Sequence, residues 1–197
     1  MKKVLEYCVN LWYSYTRDSK GDVGNMKKKD EPIFSAKDFA CYIKEKYSDY
    51  TNHTKEITPI KLQKSLYFCL AYWGGFVNKG RIDKVIEEQS NLLFSDRIEA
   101  WAYGPVIRDV YFAQTEDEEK TEKSIKKVKE IMKQNSLLEE TINSILSDLF
   151  EISDFKLVSI SHMDSSWKNH FHDEDEQHKE EITHKEIIDE YTAKSFS

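Results

Sequence analysis

Cysteines are few in this sequence, and none of them is placed for shared chemistry. The 197-residue chain has three, Cys8, Cys41 and Cys69, and no two of them form a CxxC pair. Each falls on the apolar face of a predicted helix, which favours buried, reduced thiols and a cytoplasmic location. A reactive thiol is the alternative, but no neighbouring residue indicates one.

Long apolar runs are also missing. No stretch reaches the roughly 18 consecutive apolar residues that indicate a membrane-spanning helix. The start of the chain, MKKVLEYCVNLWYSY, is basic and then apolar, but it has neither a continuous hydrophobic region nor a small-residue cleavage site. We therefore expect neither a membrane segment nor a secretory signal.

The familiar catalytic and nucleotide-binding motifs are absent. The sequence contains no P-loop, no G-x-G-x-x-G, no G-x-S-x-G and no H-E-x-x-H. Ser161, His162 and Asp164, with Ser165 and Ser166 beside them, suggest a hydrolase, but triads are assembled in space and rarely from near neighbours. The prediction is a protein without enzymatic activity and without a cofactor.

Acidic residues outnumber basic ones, and the net charge is −7. Because phosphate binding needs an excess of lysine and arginine, a nucleic-acid-binding role is not expected. The basic run at 27–29 is followed at once by Asp30 and Glu31, and the lysines of 115–135 are interleaved with glutamates, as on a solvated helix face. The composition predicts one acidic globular domain that can meet a protein partner.

Residues 1–34 are predicted to be an extension to a main domain at 35–197. Helical spacing of apolar residues predicts a helix over 3–16. Its aromatic residues Tyr7, Trp12 and Tyr15 are candidates for binding a partner, and packing onto the main domain is the other possibility. Residues 18–32 are polar and end in Pro32, which predicts a linker.

The strongest structural signals lie within residues 57–111. Thr58 is predicted to cap a helix, and Pro59 suits its first position because proline has no N–H to leave unpaired. The pair Gly74-Gly75 is predicted to end this helix. Its apolar stripe consists of Leu62, Leu66, Cys69, Leu70 and Trp73, and Lys61, Gln63 and Lys64 lie away from the centre of that stripe.

A hairpin is predicted to follow, with strands at 92–94 and 98–103. Gly104 ends the second strand and Pro105 is predicted to begin another helix. Within this hairpin, Glu99 is either an acid with a raised pKa beside Trp101 or a structural carboxylate paired with a nearby cation. The structural interpretation is favoured, with Lys61, Lys64 and Arg108 as the candidate cations.

Helices account for most of the remaining sequence. Ser35 is a predicted helix N-cap, and residues 115–135 form a charged, exposed helix with a Glu119–Lys123 pair. Residues 154–163 alternate as a strand would but begin like a helix, and a short helix is favoured. Capping boxes are predicted at Ser136 with Glu139 and at Thr183 with Glu186. The predicted fold class is mainly α (α+β), a helical globular domain with a small β-hairpin.

The best metal candidate is the acidic stretch at 168–181, which contains His170, His172 and His178. A metal site needs ligands that the fold holds rigidly, and this stretch reads as a polar loop. A metal-dependent enzyme is therefore a less favoured alternative.

Two motifs in this sequence resemble the Panacea domain family of SocA-like antitoxins and phage-associated GepA-like proteins. K-L-Q-K-S-L-Y at 61–67 is similar to the family's T-P-x-K-L-Q-K-L-L-Y helix, with Ser65 in place of an apolar residue. E-A-W-A-Y-G-P-V at 99–106 is similar to E-A-W-x-x-G-P-V, and a later S-H-x-x-x-x-W element resembles Ser161, His162 and Trp167. The matching residues are Thr58, Pro59, Lys61, Leu62, Gln63, Lys64, Leu66 and Tyr67, then Glu99, Ala100, Trp101, Gly104, Pro105, Val106, Val110 and Tyr111.

The resemblance covers about residues 35–192 and implies a mostly helical domain that binds a protein. It implies an antitoxin that neutralises a cognate toxin by direct contact or by delivery to proteolysis. A phage- or prophage-encoded counter-defence protein, which inhibits a host immune complex, is the alternative. The motif residues are the candidate site, in a structural or a recognition role, and a nucleic-acid-binding regulator is less favoured.

Overall fold

A computed structural model describes residues 31–82, 89–113, 117–173 and 179–194. The predicted helix at 3–16, with Tyr7, Trp12 and Tyr15, lies outside these ranges. The described helices are α1 (Ala36–Tyr50), α2 (Pro59–Ile82), α3 (Arg108–Tyr111), α4 (Glu118–Lys133), α5 (Ser136–Glu151), α6 (Asp154–Ser161), α7 (Ser165–Lys168) and α8 (His184–Lys194), and the strands are β1 (Ile98–Trp101), β2 (Gly104–Ile107) and β3 (Glu181–Ile182). The mainly helical fold with a small antiparallel sheet confirms the predicted fold class.

Helix α2 is the central element of the core. It packs against α8, α5, α1, α6 and β2. The predicted start is confirmed, because the Lys61 amide donates to Thr58 Oγ1 at 3.1 Å and Pro59 is the first helical residue. Leu66, Cys69, Leu70 and Trp73 have no exposed surface, so the predicted stripe is buried. Burial extends well beyond that stripe, however, since every residue from Leu62 to Val77 is buried.

Gly74 and Gly75 do not end α2, contrary to the prediction, and the helix continues to Ile82. The two glycines instead let α8 approach closely. A Cβ on Gly75 would lie 2.7 Å from the backbone carbon of Tyr191, and one on Gly74 would lie 2.5 Å from the Ile188 side chain. Packing against α8 therefore explains the glycines, and it outweighs their local cost of roughly 1 kcal/mol each within a helix.

The sheet has the order β2–β1–β3, and both pairs are antiparallel. A hairpin is present as predicted, but its strands are β1 and β2, and residues 92–94 are not a strand. The backbone carbonyls of Leu92 and Leu93 instead accept hydrogen bonds from Ile33 and Phe34. Strand β3 falls where the sequence predicts the end of a loop.

Pro105 lies in β2 and does not begin a helix, so this prediction is also wrong. Pro105 pairs with Ala100, whose N–H donates to the Glu180 carbonyl on the other side of β1. No N–H from residue 105 is therefore needed in the β1–β2 ladder, and an edge strand tolerates proline at such a position.

The other helix boundaries are set by local caps. Ser35 accepts a hydrogen bond from the Asp38 amide, and the Thr183–Glu186 capping box is confirmed by reciprocal contacts at 3.0 and 3.3 Å. The box predicted at Ser136 is wrong by one residue, because Asn135 Oδ1 accepts from the Leu138 amide at 3.1 Å. Residues 154–161 form the favoured short helix.

The charged helix α4 is mostly exposed, as predicted, and it packs against α1. The predicted Glu119–Lys123 pair is present at 2.6 Å. Two further pairs join α4 to α1, one from Lys127 to Asp38 at 2.6 Å and the other from Lys129 to Glu45 at 2.7 Å. None of the described helices combines the length and the apolar character that crossing a membrane requires.

Substituting Gly75 by alanine should lower the free energy of unfolding by about 1–3 kcal/mol, because the new methyl group would displace the backbone of α8. Urea denaturation at equilibrium measures this loss. Lys126→Ala on the exposed face of α4 is the control, and we expect a change within about 0.5 kcal/mol. A Gly75→Ala protein as stable as the wild type would contradict the close packing of α2 and α8.

Candidate functional site

The K-L-Q-K helix docks on the outer edge of the hairpin through side chains that behave like a neighbouring strand. Gln63 Oε1 accepts a hydrogen bond from the Ile107 amide at 2.8 Å, and Gln63 Nε2 donates to the Ile107 carbonyl at 3.3 Å. Lys64 Nζ donates to the Pro105 carbonyl at 2.9 Å. Both side chains are buried, although the sequence places them away from the centre of the apolar stripe. Their partners are backbone groups of β2.

Lys64 is the most unusual titratable group in this arrangement, because it is only 1% exposed. Burial lowers the pKa of its ammonium from 10.5 to about 7, and the charge of Asp164 opposes this shift. The bond to Pro105 satisfies one donor and requires no charge on the lysine. The site therefore holds a lysine that is easily made neutral, which is uncommon in proteins.

The turn of the hairpin is seated on the later S-H-x-x-x-x-W element. Gly104 has φ +91°, and a Cβ there would clash with Ser161 Oγ and with Lys64 Nζ at 2.8 Å. Trp167 Nε1 donates to the Trp101 carbonyl at 3.0 Å, and the Trp167 ring stacks on His162 at 3.9 Å between ring centroids. Burial, and then the charge of Lys64, lower the pKa of His162, which is hydrogen-bonded to the Ala102 backbone.

Asp164 is a buried hydrogen-bond acceptor for three side chains beneath these motifs. It is 2% exposed and accepts hydrogen bonds from Tyr67 at 2.7 Å, Tyr191 at 3.0 Å and Lys194 at 2.6 Å. Burial raises the pKa of its carboxyl group, and the bonds from Lys194 and Tyr67 act in the opposite direction. Asp164 thus joins α2 and α8 to the segment before α7.

Glu190 of α8 caps the short helix α7. Its two carboxylate oxygens accept from the backbone amides of Ser165 and Ser166, each at 2.8 Å. Asp164 occupies the N-cap position but makes no side-chain cap bond, because its carboxylate faces Tyr67, Tyr191 and Lys194. A carboxylate from another helix therefore supplies the cap.

The remaining polar motif residues are also joined to fixed partners. Lys61 Nζ donates to the Ile152 carbonyl and lies 3.4 Å from Asp154, which accepts from Thr58 Oγ1. Glu99 is buried and accepts from Trp101 Nε1 at 2.9 Å, with the Arg97 and Arg108 guanidinium groups at 3.3 and 3.5 Å. Of the three cations predicted for Glu99, the structure thus places Arg108 beside it.

An aromatic cluster is exposed on the outside of this buried frame. Trp101 lies 5.0 Å from Tyr111 and 6.0 Å from Phe112 between ring centroids. Phe112 is 60% exposed and Tyr111 is 49% exposed. Tyr103, at the hairpin turn, is 61% exposed and lines a cavity of about 460 Å³ together with Trp101 and Tyr111. We call Trp101, Tyr103, Tyr111 and Phe112 the aromatic cluster.

The residues considered for a triad do not form one. Ser161 Oγ donates to the Val158 carbonyl at 2.9 Å, and Asp164 is bonded to tyrosines and a lysine. Where the structure is described, His162 has no hydrogen bond to either of them. Ser161, His162 and Asp164 therefore have structural contacts around the hairpin turn, although they are close together in the sequence.

The metal candidates are brought together only in part. His170 lies 3.2 Å from Glu180 and 3.1 Å from Glu186, while His172 contacts Glu180 at 3.3 Å. Among the residues with described positions, no group of three or more histidine, cysteine or carboxylate side chains is arranged to hold a metal ion. His178 lies outside the described ranges.

Comparison with protein families identifies this arrangement. The model of the family described as "Antitoxin SocA-like, Panacea domain" matches residues 62–168, more than half of the chain. The chain belongs to this family. The match spans the Gln63–Lys64 pair, the hairpin and the His162–Trp167 stack. Comparisons with curated proteins and with solved structures found no match.

Several residues that hold the family motifs in place have no signature in the sequence. The sequence places Asp164 only in a possible triad and predicts no hydrogen-bonding role for Glu190, Tyr191 or Lys194 in α8. Each of these side chains contacts a residue more than twenty positions away. The only local signal was an aspartate placed between His162 and Trp167 of the motif.

Lys64→Met should change how stability depends on pH, because methionine keeps an apolar side chain and removes the ammonium. The folded-state pKa of about 7 lies below the unfolded value of 10.5. The contribution of Lys64 is therefore fully present above the unfolded pKa and is lost as pH falls through the folded pKa. Between about pH 7 and 9, we expect the wild type to gain about 2 kcal/mol relative to Lys64→Met, at roughly 1.4 kcal/mol per pH unit.

Urea denaturation of both proteins across this pH range measures the difference. Lys126→Met, at an exposed position of α4, is the matched control and should show no pH-dependent difference in the same range. A constant difference between wild type and Lys64→Met would show that Lys64 titrates as an ordinary lysine, and it would contradict the buried environment.

Proposed function

We propose that this Panacea domain is a non-enzymatic binding module that neutralises a cognate protein toxin. The observation that carries the proposal is the aromatic cluster on the family hairpin. Tyr103 and Phe112 expose most of their surface, although burial of an aromatic side chain away from water is favourable. Tyrosine, tryptophan and arginine are the residues most enriched at energetic centres of protein interfaces.

The buried frame supports this role because it fixes the cluster before a partner arrives. Trp101 is held on one side by its bond to Glu99 and on the other by the bond that its carbonyl accepts from Trp167. Arg108 is held by Glu99 and lies over the Phe112 ring at 5.2 Å. Side chains that are already ordered lose less entropy on binding, and this strengthens an interface.

Direct binding is the form of neutralisation that such a surface favours, and delivery of the toxin to proteolysis is the alternative. Co-expression separates the two, because direct inhibition leaves the toxin intact and delivery removes it from the cell. A counter-defence protein of a phage or prophage would use the same domain against a host immune complex. It would then fail to rescue cells from a neighbouring toxin.

The N-terminal extension is a second candidate contact surface through Tyr7, Trp12 and Tyr15, and the charged helix α4 is a third. Deleting residues 1–30 tests the N-terminal extension. A truncated protein that folds and binds its partner as well as the full chain would exclude the extension as a contact surface.

Tyr103→Ala combined with Phe112→Ala should abolish protection of cells that express the cognate toxin. Loss of two central aromatic contacts is expected to weaken binding by about tenfold or more. Growth rescue and the dissociation constant of the purified pair measure the effect. Tyr50→Ala is the control, because Tyr50 is an exposed aromatic residue outside the cluster. Equal rescue by the double variant and the wild type would contradict the assigned surface.

A further inference from the structure

Two grooves meet along the first turns of α2 and form one trough. The groove beside the hairpin has a volume of about 460 Å³, and the groove towards α1 has a volume of about 720 Å³. Pro59, Gln63 and Tyr111 line both of them. Each volume falls within the roughly 300–1,000 Å³ that is usual for ligand sites. The trough therefore runs along α2 from the hairpin to α1.

The hairpin end of the trough has apolar walls. Ile60, Val106, Trp101 and Tyr111 line it, and the described lining also includes Lys64 and Lys179. No carboxylate of the described residues takes part in this lining. This end suits a large apolar side chain of a partner.

The other end carries basic residues on a chain that is acidic as a whole. Lys44 and Lys55 line the groove towards α1, and Glu56 is the only acidic residue in its described lining. Both lysines are exposed, and neither has a carboxylate partner within 4.0 Å in the described ranges. The lysines of α4, by contrast, are largely paired, as Lys127 is with Asp38. Against a net charge of −7, this is a local positive site.

We propose that the trough binds an extended segment of the toxin in which an apolar residue is followed or preceded by acidic residues. The apolar side chain enters the hairpin end between Trp101 and Tyr111, and the carboxylates lie over Lys44 and Lys55 at the other end. This inference rests on the proposed function, because it assigns the partner's chemistry to the same aromatic surface. Opposite charges at the rim select the segment and speed its association.

A single-stranded nucleic acid is the other ligand that combines negative charge with groups that stack on aromatic rings. The trough fits it less well. Its apolar end offers few donors to a phosphate backbone, Glu56 would repel one, and the chain as a whole has a net charge of −7.

Selection of a displayed library of random linear peptides on the full chain tests this inference. Enriched peptides should carry aspartate or glutamate on one side of a tryptophan, phenylalanine or leucine. A synthetic representative should bind at least about tenfold more weakly to the variant Lys44→Glu/Lys55→Glu, since loss of two rim ion pairs of about 0.7 kcal/mol each accounts for a factor of ten and the new carboxylates add repulsion. Lys126→Glu/Lys133→Glu is the control with the same change in net charge at exposed positions of α4, and binding to it should be unchanged.

Enrichment of basic or uncharged peptides would overturn the inference, and so would a peptide that binds both variants equally. Tighter binding of single-stranded oligouridine than of the peptide would also overturn it. Because the selection uses no toxin, its failure in a chain that still rescues cells would reject the trough alone. Failure of rescue by a chain that does bind acidic peptides would reject the proposed function.

Discussion

The rest of the structure depends on how the outer edge of β2 is satisfied. That edge carries the carbonyl of Pro105 and both backbone groups of Ile107, and α2 lies against it without a fourth strand. Gln63 supplies an amide that pairs with both groups of Ile107, and Lys64 bonds the Pro105 carbonyl. Buried backbone groups without partners cost roughly 1–3 kcal/mol each, so these two side chains allow a helix to pack on a strand edge. They also close that edge to another chain.

Because the hairpin is held in this way, the residues that support it differ from the residues that it exposes to a partner. Most motif residues of the family are buried, and their hydrogen bonds run to Ile152 before α6, to Asp164 before α7 or to the backbone of β2. The exposed aromatic side chains Tyr103 and Phe112 lie between or beside the motif residues. The family motifs therefore account for the buried frame, and the exposed positions around the hairpin turn are available to recognise a partner.

Local chemistry was enough to predict the caps at Ser35, Thr58 and Thr183, since each involves residues within three positions. The errors arose where a distant partner decides the outcome. Gly74 and Gly75 looked like a helix stop, but α8 packs on them, and Pro105 suits a strand because Ala100 bonds in the other direction. Strand β3 has two residues and shows no periodicity. The Asp164 network was beyond sequence reasoning because its partners come from two distant helices.

Amide hydrogen exchange at Ile107 tests most directly whether a side chain of α2 holds the strand edge. In the wild type, the Ile107 amide should exchange as slowly as that of Ala100, which donates to Glu180 at 2.9 Å. In Gln63→Leu, exchange at Ile107 should become about tenfold faster or more relative to Ala100, because its acceptor is lost. Fast exchange at Ile107 in the wild type, or an unchanged ratio in the variant, would contradict this account.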